Sequence, residues 1–550
     1  MIRESFTIAL ALCAAVLVVG MEAGARGDSS TAEGKKIIMW AGIGGSGGQP
    51  SPPEWASIGV GRSDSLPVDG MIYNISNNGG YLPDRWLGDT GPISYDSIKS
   101  DVDLVRSFKL KRLKHNFARV DTGFINCDWY DDAAWDKMAA KVKVASRAAK
   151  EAGAVGFMLD SEQYVHQPFN YTLQSHRMDK TFDEYRAQVR KRGRQFMEAL
   201  TSRMPRAKIY MTFSTSAVLV FGGGAPPSVS TMGLLPAFLD GMMDGGPKAE
   251  FIDGYEMSYH YRTYAQFKEA REVIKKAASL SFDPMRYSKR IKVSYGLWLR
   301  KIGATECVLD TTDYTKNTFT PEELKHALHY ALRLSDGYVW LYAFPWFTMP
   351  KEYLDAVKEA RLPQPLDFKP VIRPDEQKPA AYILSAKGRA DCADDVVFAA
   401  FKNAGYKEIY DFPKQWRFRI DPRDMGVKEK WHTTYNSADW IDIEIGDWWE
   451  PQLNSTYLGY AWYRFELDAP GDWQGKKLLL AFGAVDEEAW VWVNGESIGE
   501  HAIGSDGWNA AFEFDVTGKL LPGRKNTVCV RVYNSAGVGG IWKSVKIFTR

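Results

Sequence analysis

Ala154-Val155-Gly156-Phe157-Met158-Leu159-Asp160-Ser161-Glu162-Gln163 is a short apolar run that ends in two acids. A helical pattern precedes it: Trp135 to Ala152 carries Met138, Ala139, Val142, Val144, Ala145 and Ala148 and stops at Gly153. Another follows: Phe182 to Met204 carries Tyr185, Val189, Phe196, Met197 and Leu200 and stops at Pro205. A run too short for a helix, set between two helical segments, reads as the strand of a β/α unit. The alternation recurs on both sides. Short apolar runs occupy 37–43, 71–75, 113–120, 154–163, 208–214, 251–259, 291–299 and 337–344. Thr320-Pro321-Glu322-Glu323 marks one more helix start, an N-cap followed by proline at the first helical position. Strand and helix alternating eight times predict an α/β architecture closed as an eight-fold β/α (TIM) barrel over 36–362. A doubly wound open sheet competes. Even spacing favours the barrel, as does the lack of a phosphate-loop spacing in the Gly/Pro-rich stretch Gly42 to Pro53, which reads as a rim loop.

The chain has 550 residues, too long for one domain. Lys and Arg number 69 against 68 Asp and Glu, which gives no electrostatic reason to expect nucleic acid as partner. Five cysteines are too few for a disulfide scaffold. Aromatic content is high, with 19 Trp, 27 Tyr and 27 Phe, and flat rings with polar edges suit cores and sugar clefts alike. The apolar run Phe6 to Met21, closed by Ala23-Gly24-Ala25, reads as a secretory signal peptide over 1–25 and implies a secreted or periplasmic protein. An uncleaved anchor is the alternative; the run is shorter than the ~20 apolar residues of a spanning helix, so no stable membrane insertion is expected. Cys13 would leave with the leader, and no pairing is assigned to the other cysteines.

A proline-bearing stretch from Pro363 to Pro379 reads as a linker, within a bridging segment taken as 363–409. From 410 to 550 the texture is all-β, with alternating runs at 461–467, 477–482, 489–493, 511–516 and 528–533. Pro470-Gly471, Asn494-Gly495 and Pro522-Gly523 supply turns. Trp462-Tyr463-Arg464, Phe482-Gly483-Ala484-Val485-Asp486, Val491-Trp492-Val493-Asn494-Gly495, Phe514-Asp515-Val516-Thr517 and Gly539-Gly540-Ile541-Trp542 stand in this region. Together these strings resemble the galactose-binding-like β-sandwich (jelly roll) of family 2 glycoside hydrolases. The resemblance implies a module that braces the barrel or touches sugar. Trp462 and Trp492 are expected to have one wet side, and Asp486, Glu487 and Glu488 to be solvated in a turn.

Barrel chemistry sits at strand C-termini. On the fourth run, alternation sends Met158, Asp160 and Glu162 toward the axis and Phe157 and Leu159 toward the helices. Paired inward acids are costly unless used or paired, and one of two adjacent carboxyls has its pKa raised. Glu162 is the candidate general acid/base, with Asp160 orienting substrate or sharing its proton; the structural alternative is an ion pair of these acids with Arg119. The Asp160-x-Glu162 end resembles the catalytic strand of family 18 chitinase-like barrels, and Met257-Ser258-Tyr259 their Met-x-Tyr string. That resemblance implies Tyr259 as a donor to developing charge and Trp340 as the floor ring; Val155 and Met158 replace that family's earlier aspartates. Asp128-Trp129-Tyr130-Asp131-Asp132 also looks like glycosidase-like bacterial barrels. Trp40, Asn74, His115, Asn116, His260, Trp298, Trp340 and Tyr342 are candidate substrate-binding residues at or near strand ends. A conventional pair needs a second carboxylate from another strand. Alternation from Tyr255 through Met257 to Tyr259 turns Glu256 outward, so none is expected there. His326 and His329 share a helix face without a third ligand and read as solvated; no metal or cofactor is expected. The expected function is hydrolysis of O-glycosidic bonds in a carbohydrate substrate. One rival is a non-catalytic carbohydrate-binding protein with a degenerate barrel; a second is a conventional double-displacement hydrolase that pairs Glu162 with an acid placed elsewhere than alternation puts it.

Overall fold

The structure is a computed structural model and describes residues 32–41, 51–75, 86–87, 91–163, 167–221, 227–228, 230–302, 308–343, 349–371, 393–453, 457–535 and 537–550. The stretch read as a leader, 1–25, and most of that read as a rim loop, 42–50, lie outside the described residues. So do Cys307, Cys392 and much of the linker, 372–392.

All eight apolar runs form parallel strands. They are β1 (Lys36–Ala41), β2 (Gly70–Tyr73), β3 (Phe117–Asp121), β4 (Gly156–Asp160), β5 (Lys208–Met211), β6 (Glu250–Asp253), the pair β7 (Ile291–Val293) and β8 (Gly296–Leu299), and β9 (Tyr338–Ala343). The seventh run is split at Ser294-Tyr295. Its first half pairs with β6 and its second half with β9, while β9 pairs with β1. One broken strand therefore closes the ring, and the sheet is a TIM-like barrel. Helices cover it where the periodicity placed them, at Asp132–Glu151, Phe182–Leu200 and Pro321–Leu334. Asp131 caps the first of these. Thr181 with Glu184, and Thr320 with Glu323, form capping boxes that satisfy the free N–H groups of the other two. The inward face of the barrel carries Ile38, Trp40, Ile72, Phe117, Met158, Tyr210, Ile252 and Trp340. Phe157 and Leu159 pack outward with the helices, as alternation requires.

Among its described residues the C-terminal region forms ten strands in two antiparallel sheets. These are β10 (Lys407–Asp411), β11 (Gln415–Asp421), β12 (Ile441–Glu444), β13 (Gly459–Asp468), β14 (Leu478–Phe482), β15 (Glu488–Val493), β16 (Glu496–His501), β17 (Phe512–Asp515), β18 (Lys525–Asn534) and β19 (Val545–Thr549). One sheet runs β10-β19-β14-β17 and the other β12-β11-β13-β18-β15-β16. Trp416, Tyr463, Val491 and Val530 of the larger sheet share one core with Leu480, Phe482 and Ile547 of the smaller. Asn494 and Gly495 both have positive φ, 53° and 82°, the two-residue turn that joins β15 to β16.

Several expectations fail here. Asp486 and Glu487 are buried, not solvated, and burial with Glu487 and Glu450 alongside pushes the Asp486 carboxyl well above its ordinary value. Trp462 and Trp492 are also buried, stacked at 5.0 Å beneath the segment that carries Trp431 and His432. His326 and His329 are core residues: His326 stacks on Phe368 at 4.0 Å, and His329 Nδ1 pairs with the Ala360 carbonyl at 2.9 Å. In the bridging segment, the short helices Asp394–Val397 and Ala399–Asn403 set Val397, Phe398 and Phe401 on the outer face of the smaller sheet, against Leu479, Ala481 and Phe548. Among the described residues no helix is long and apolar enough to cross a membrane.

The two units meet at the strand-C-terminal side of the barrel. The loop after β4 supplies Asn170, whose amide donates to Asn509 O at 3.3 Å, and Thr172, whose hydroxyl accepts from Ala511 N–H at 3.2 Å. Arg177 donates twice to Glu513, at 2.9 and 3.3 Å. Asp506 accepts from Ser230 and from the Thr231 N–H in the loop after β5.

Candidate active site

The ends of β3, β4 and β5 are tied together by one polar network. Arg119 on β3 donates to Asp121 at 2.5 Å and to Asp160 at 2.9 Å. The other Asp160 oxygen accepts from the Thr212 hydroxyl at 3.2 Å and from the Glu162 N–H at 3.1 Å. Thr122 donates to the Asp160 carbonyl and pairs with the Ser161 hydroxyl. Both Asp160 oxygens are therefore engaged. In this geometry Asp160 holds Arg119 and the backbone of Glu162, the structural alternative weighed above, and this replaces the expectation that it orients substrate.

Glu162 leaves the strand with its backbone pressed on Gly123. A Cβ at residue 123 would lie 1.8 Å from the Glu162 carbonyl oxygen, so only glycine admits this approach. Gln163 extends the restraint: its amide donates to Thr231 O at 2.9 Å and its oxygen accepts the Phe169 N–H at 2.9 Å.

Glu256 overturns the alternation argument. The sixth strand ends at Asp253, and Tyr255 turns the chain in the left-handed region at φ 41°. Residues 256–258 then form a 3-10 turn in which strand alternation no longer applies. Asp253, fully buried, accepts the Tyr255 N–H at 3.1 Å and the Ser216 hydroxyl at 2.7 Å. Burial raises its carboxyl to about 6. The turn is bonded on both sides. Gly254 N–H and Glu256 N–H donate to Met211 O and Thr212 O at 2.8 and 3.2 Å. Ser258 Oγ bridges to Gly296, and Trp298 N–H donates to Tyr259 O at 3.1 Å.

The Glu256 carboxyl feels the charges of Glu162, Asp160 and Arg119 and lies beside the Tyr259 hydroxyl. Removal from water, then Glu162, then Asp160 push its carboxyl well above the ordinary glutamate value. Burial and the same glutamate hold the Tyr259 phenol well above its own. Two half-buried carboxyls, carried just past the ends of β4 and β6, thus stand close enough for the Glu162 charge to disfavour ionisation of Glu256.

Rings surround the pair. Tyr259 lies 5.3 Å from both Trp298 and Trp340 and stacks with Tyr342 at 6.1 Å. Trp40 meets Trp340 at 5.3 Å and Tyr342 at 5.7 Å, and the Arg119 guanidinium lies 5.0 Å above its ring. Trp340 is buried, with its indole N–H on Gly254 O at 2.8 Å, a packing role beneath the site. His260 is exposed and stacks on Trp298 at 6.2 Å. Asn74 follows β2 on the same side and is buried. His115 and Asn116 are not at this end. The third strand begins only at Phe117, so both residues precede it at the opposite mouth. There His115 Nδ1 meets the Tyr338 hydroxyl at 2.8 Å and Asn116 accepts the Met71 N–H at 2.9 Å. Glu256 is the residue that strand alternation wrongly set aside.

Comparison with known proteins adds a partial likeness. No family model matches the chain. A β-glucuronidase of Paenibacillus borealis is 33% identical over 132 residues, 23% of this chain and 21% of that protein. A β-glucuronidase of Bacteroides fragilis is 41% identical over 125 residues, 22% of this chain and 16% of that protein. Among solved structures, the β-glucuronidase from Ruminococcus gnavus in complex with D-glucuronic acid matches at 20% identity and a TM-score of 0.24, covering 26% of this chain and 29% of that one. The chain spans between 14% and 21% of the length of the curated relatives it matches.

Proposed function

We propose that this chain is an exported glycoside hydrolase whose acid/base pair is Glu162 and Glu256. The observation that carries this reading is the convergence of the two carboxyls beside the Tyr259 hydroxyl, in a mouth walled by Trp40, Trp298 and Tyr342. Glycoside hydrolysis needs one carboxyl protonated to release the leaving oxygen and one ionised to meet the anomeric carbon or a water. Environments that push two acids apart supply that division. Glu256 holds the proton before reaction and gives it to the glycosidic oxygen. Glu162 is the ionised partner, as base or nucleophile, its backbone held by Asp160 and Gly123. Tyr259 steadies Glu256 once it is charged. The aromatic rings offer faces to the sugar and Arg119 offsets the negative charge of the cluster.

The match to β-glucuronidases supports a glycosidic substrate and makes a β-glucuronide the first to test. It covers less than a quarter of the chain. The barrel chemistry therefore rests on the barrel's own residues. A purely sugar-binding role is disfavoured because a degenerate barrel has no reason to keep two coupled carboxylates and a phenol together against their desolvation cost. The apolar run at 6–21, read as the centre of a signal peptide over 1–25, supports a secreted or periplasmic protein.

The test is hydrolysis of aryl β-glucuronide, galactoside, glucoside, fucoside and N-acetylglucosaminide by wild type, Glu162→Gln and Glu256→Gln. One substrate cleaved by wild type, with a loss of ~100-fold or more in each variant, supports the pair. Equal cleavage by wild type and either variant removes that residue from the mechanism.

A further inference from the structure

The outer face of the six-stranded sheet carries an arginine that its surroundings do not neutralise. Arg417 on β11 and Arg464 on β13 are directly opposite each other in register. Like charges in that relation destabilise a sheet unless something compensates them. Arg417 has compensation, from Asp442 at 2.7 Å and the Ser437 carbonyl at 3.0 Å. Arg464 has none of that kind. It is only 7% exposed, its Nε has no partner, and its terminal nitrogens reach only Cys529 Sγ and Thr527 Oγ1, both at 3.4 Å. The Tyr435 ring lies 4.7 Å from the guanidinium. Cys529 is not a counter-ion, since burial holds its thiol up at about 11. Among the described residues Arg464 forms no ion pair. The neighbouring carboxylates have other cations: Asp442 has Arg417, and Glu466 has Lys525 at 3.2 Å.

A buried, unpaired guanidinium is costly. This one opens onto a cavity of about 360 Å³, which Gln415, Arg417, Tyr435, Asp442, Phe465 and Glu466 complete. The charges there describe the occupant. With Arg417 and Lys525 matched, one positive charge is uncompensated, so a single negative charge fits and a polyanion would meet Asp442 and Glu466. Those two carboxylates and the Gln415 amide are acceptors for hydroxyl groups, and the Tyr435 ring offers an apolar face. We propose that this cavity is a second binding site, away from the barrel, for a sugar residue bearing one carboxylate or sulfate ester, with Arg464 as its anion contact. The occupant is a unit of an acidic glycan. The site anchors such a glycan to the β unit, whatever bond the barrel acts on.

The test uses the full chain and isothermal titration with three probes: an oligouronate, a neutral oligosaccharide of the same length, and a singly sulfated one. Because the barrel is a second place for sugar, each titration is repeated on Glu162→Gln, in which a site on the β unit is intact. Arg464→Met should weaken binding of the anionic probe at least ~10-fold, the scale of one charge-assisted contact. Gln415→Glu adds a carboxylate at an exposed rim position without disturbing the core, and should weaken it several-fold. The neutral probe should bind far more weakly than either anionic one, and the stronger of those two identifies the anion. Anionic binding that is unchanged in both Arg464→Met and Gln415→Glu, or equal affinity for the neutral probe, overturns the proposal. If Arg464→Met does not fold, Gln415→Glu decides alone. Failure here leaves the hydrolysis test untouched, because that test reads Glu162 and Glu256.

Discussion

Replacing Gly123 by alanine tests how the β3 turn places Glu162. The added Cβ would stand 1.8 Å from the Glu162 carbonyl oxygen and 2.7 Å from its carbonyl carbon, both backbone atoms. Raising 1.8 Å to the 3.4 Å where ordinary contact begins requires a displacement of about 1.6 Å. Neither side yields easily. Residues 122–124 form a short 3-10 turn, with Thr122 bonded to Asp160 O and to Ser161. Glu162 is tied through its N–H to Asp160. The clash is therefore shared as backbone strain and a shift of the glutamate. Overpacking of this kind costs about 1–3 kcal/mol of stability. A misplacement of about 1 Å in a reacting group costs on the order of 100-fold in rate. Gly123→Ala should thus lower kcat/KM on the best glycoside of the panel by ~100-fold or more, measured at a temperature where circular dichroism shows the chain folded. Gly61→Ala is the control: that glycine is exposed within the helix Val60–Asp64 and a Cβ there meets nothing within 4 Å. It should keep activity and gain a few tenths of a kcal/mol to about 1 kcal/mol. A folded Gly123→Ala protein with kcat/KM within about threefold of wild type would refute this account of how Glu162 is positioned.

Three further outcomes are expected. The proposed role of Glu256 as proton donor requires its raised carboxyl to be protonated, so kcat/KM should fall as pH rises through its value; carboxyl-carbon NMR should find that value lower in Glu162→Gln, where a neighbouring charge is gone. Asp253 is raised in the folded state to about 6 from an ordinary 3.8, so the folded chain binds the extra proton between these values and its stability falls as pH rises through that window. Denaturant unfolding should show about 1 kcal/mol of the loss between pH 5 and pH 7 disappearing in Asp253→Asn. Arg177→Ala removes both donors to Glu513 at the contact between barrel and β unit and should cost about 2 kcal/mol by denaturant unfolding, with faster proteolysis near 170–180; unchanged proteolysis would mean the contact does not hold the loop.

Much of the architecture is legible without coordinates because it rests on local rules. Apolar runs too short for helices became strands, and Thr320 with Glu323 and Thr181 with Glu184 cap helices because their side chains reach their own N-termini. Alternation along the fourth run put Met158 and Asp160 inward and Phe157 outward, since that rule needs only extended backbone. Errors arose where exposure was inferred from a residue's polarity. Asp486, Glu487, His326 and His329 are buried because other segments cover them, which no local pattern reports.

The candidate site divides along the same line. Local pattern was enough to set an acid-ended strand between two helices and to bring Tyr259, Trp298 and Tyr342 near neighbouring strand ends. That Glu256 comes to stand near Glu162 depends on the folded chain. Alternation would have sent Glu256 outward, but the strand stops at Asp253 and Tyr255 turns through a left-handed conformation. That turn is held by partners distant in sequence: Met211 and Thr212 on one side, Gly296 and Trp298 on the other, with Ser216 on Asp253. A side chain's direction beyond a strand end is set by such long-range hydrogen bonds, which do not exist until the barrel has closed.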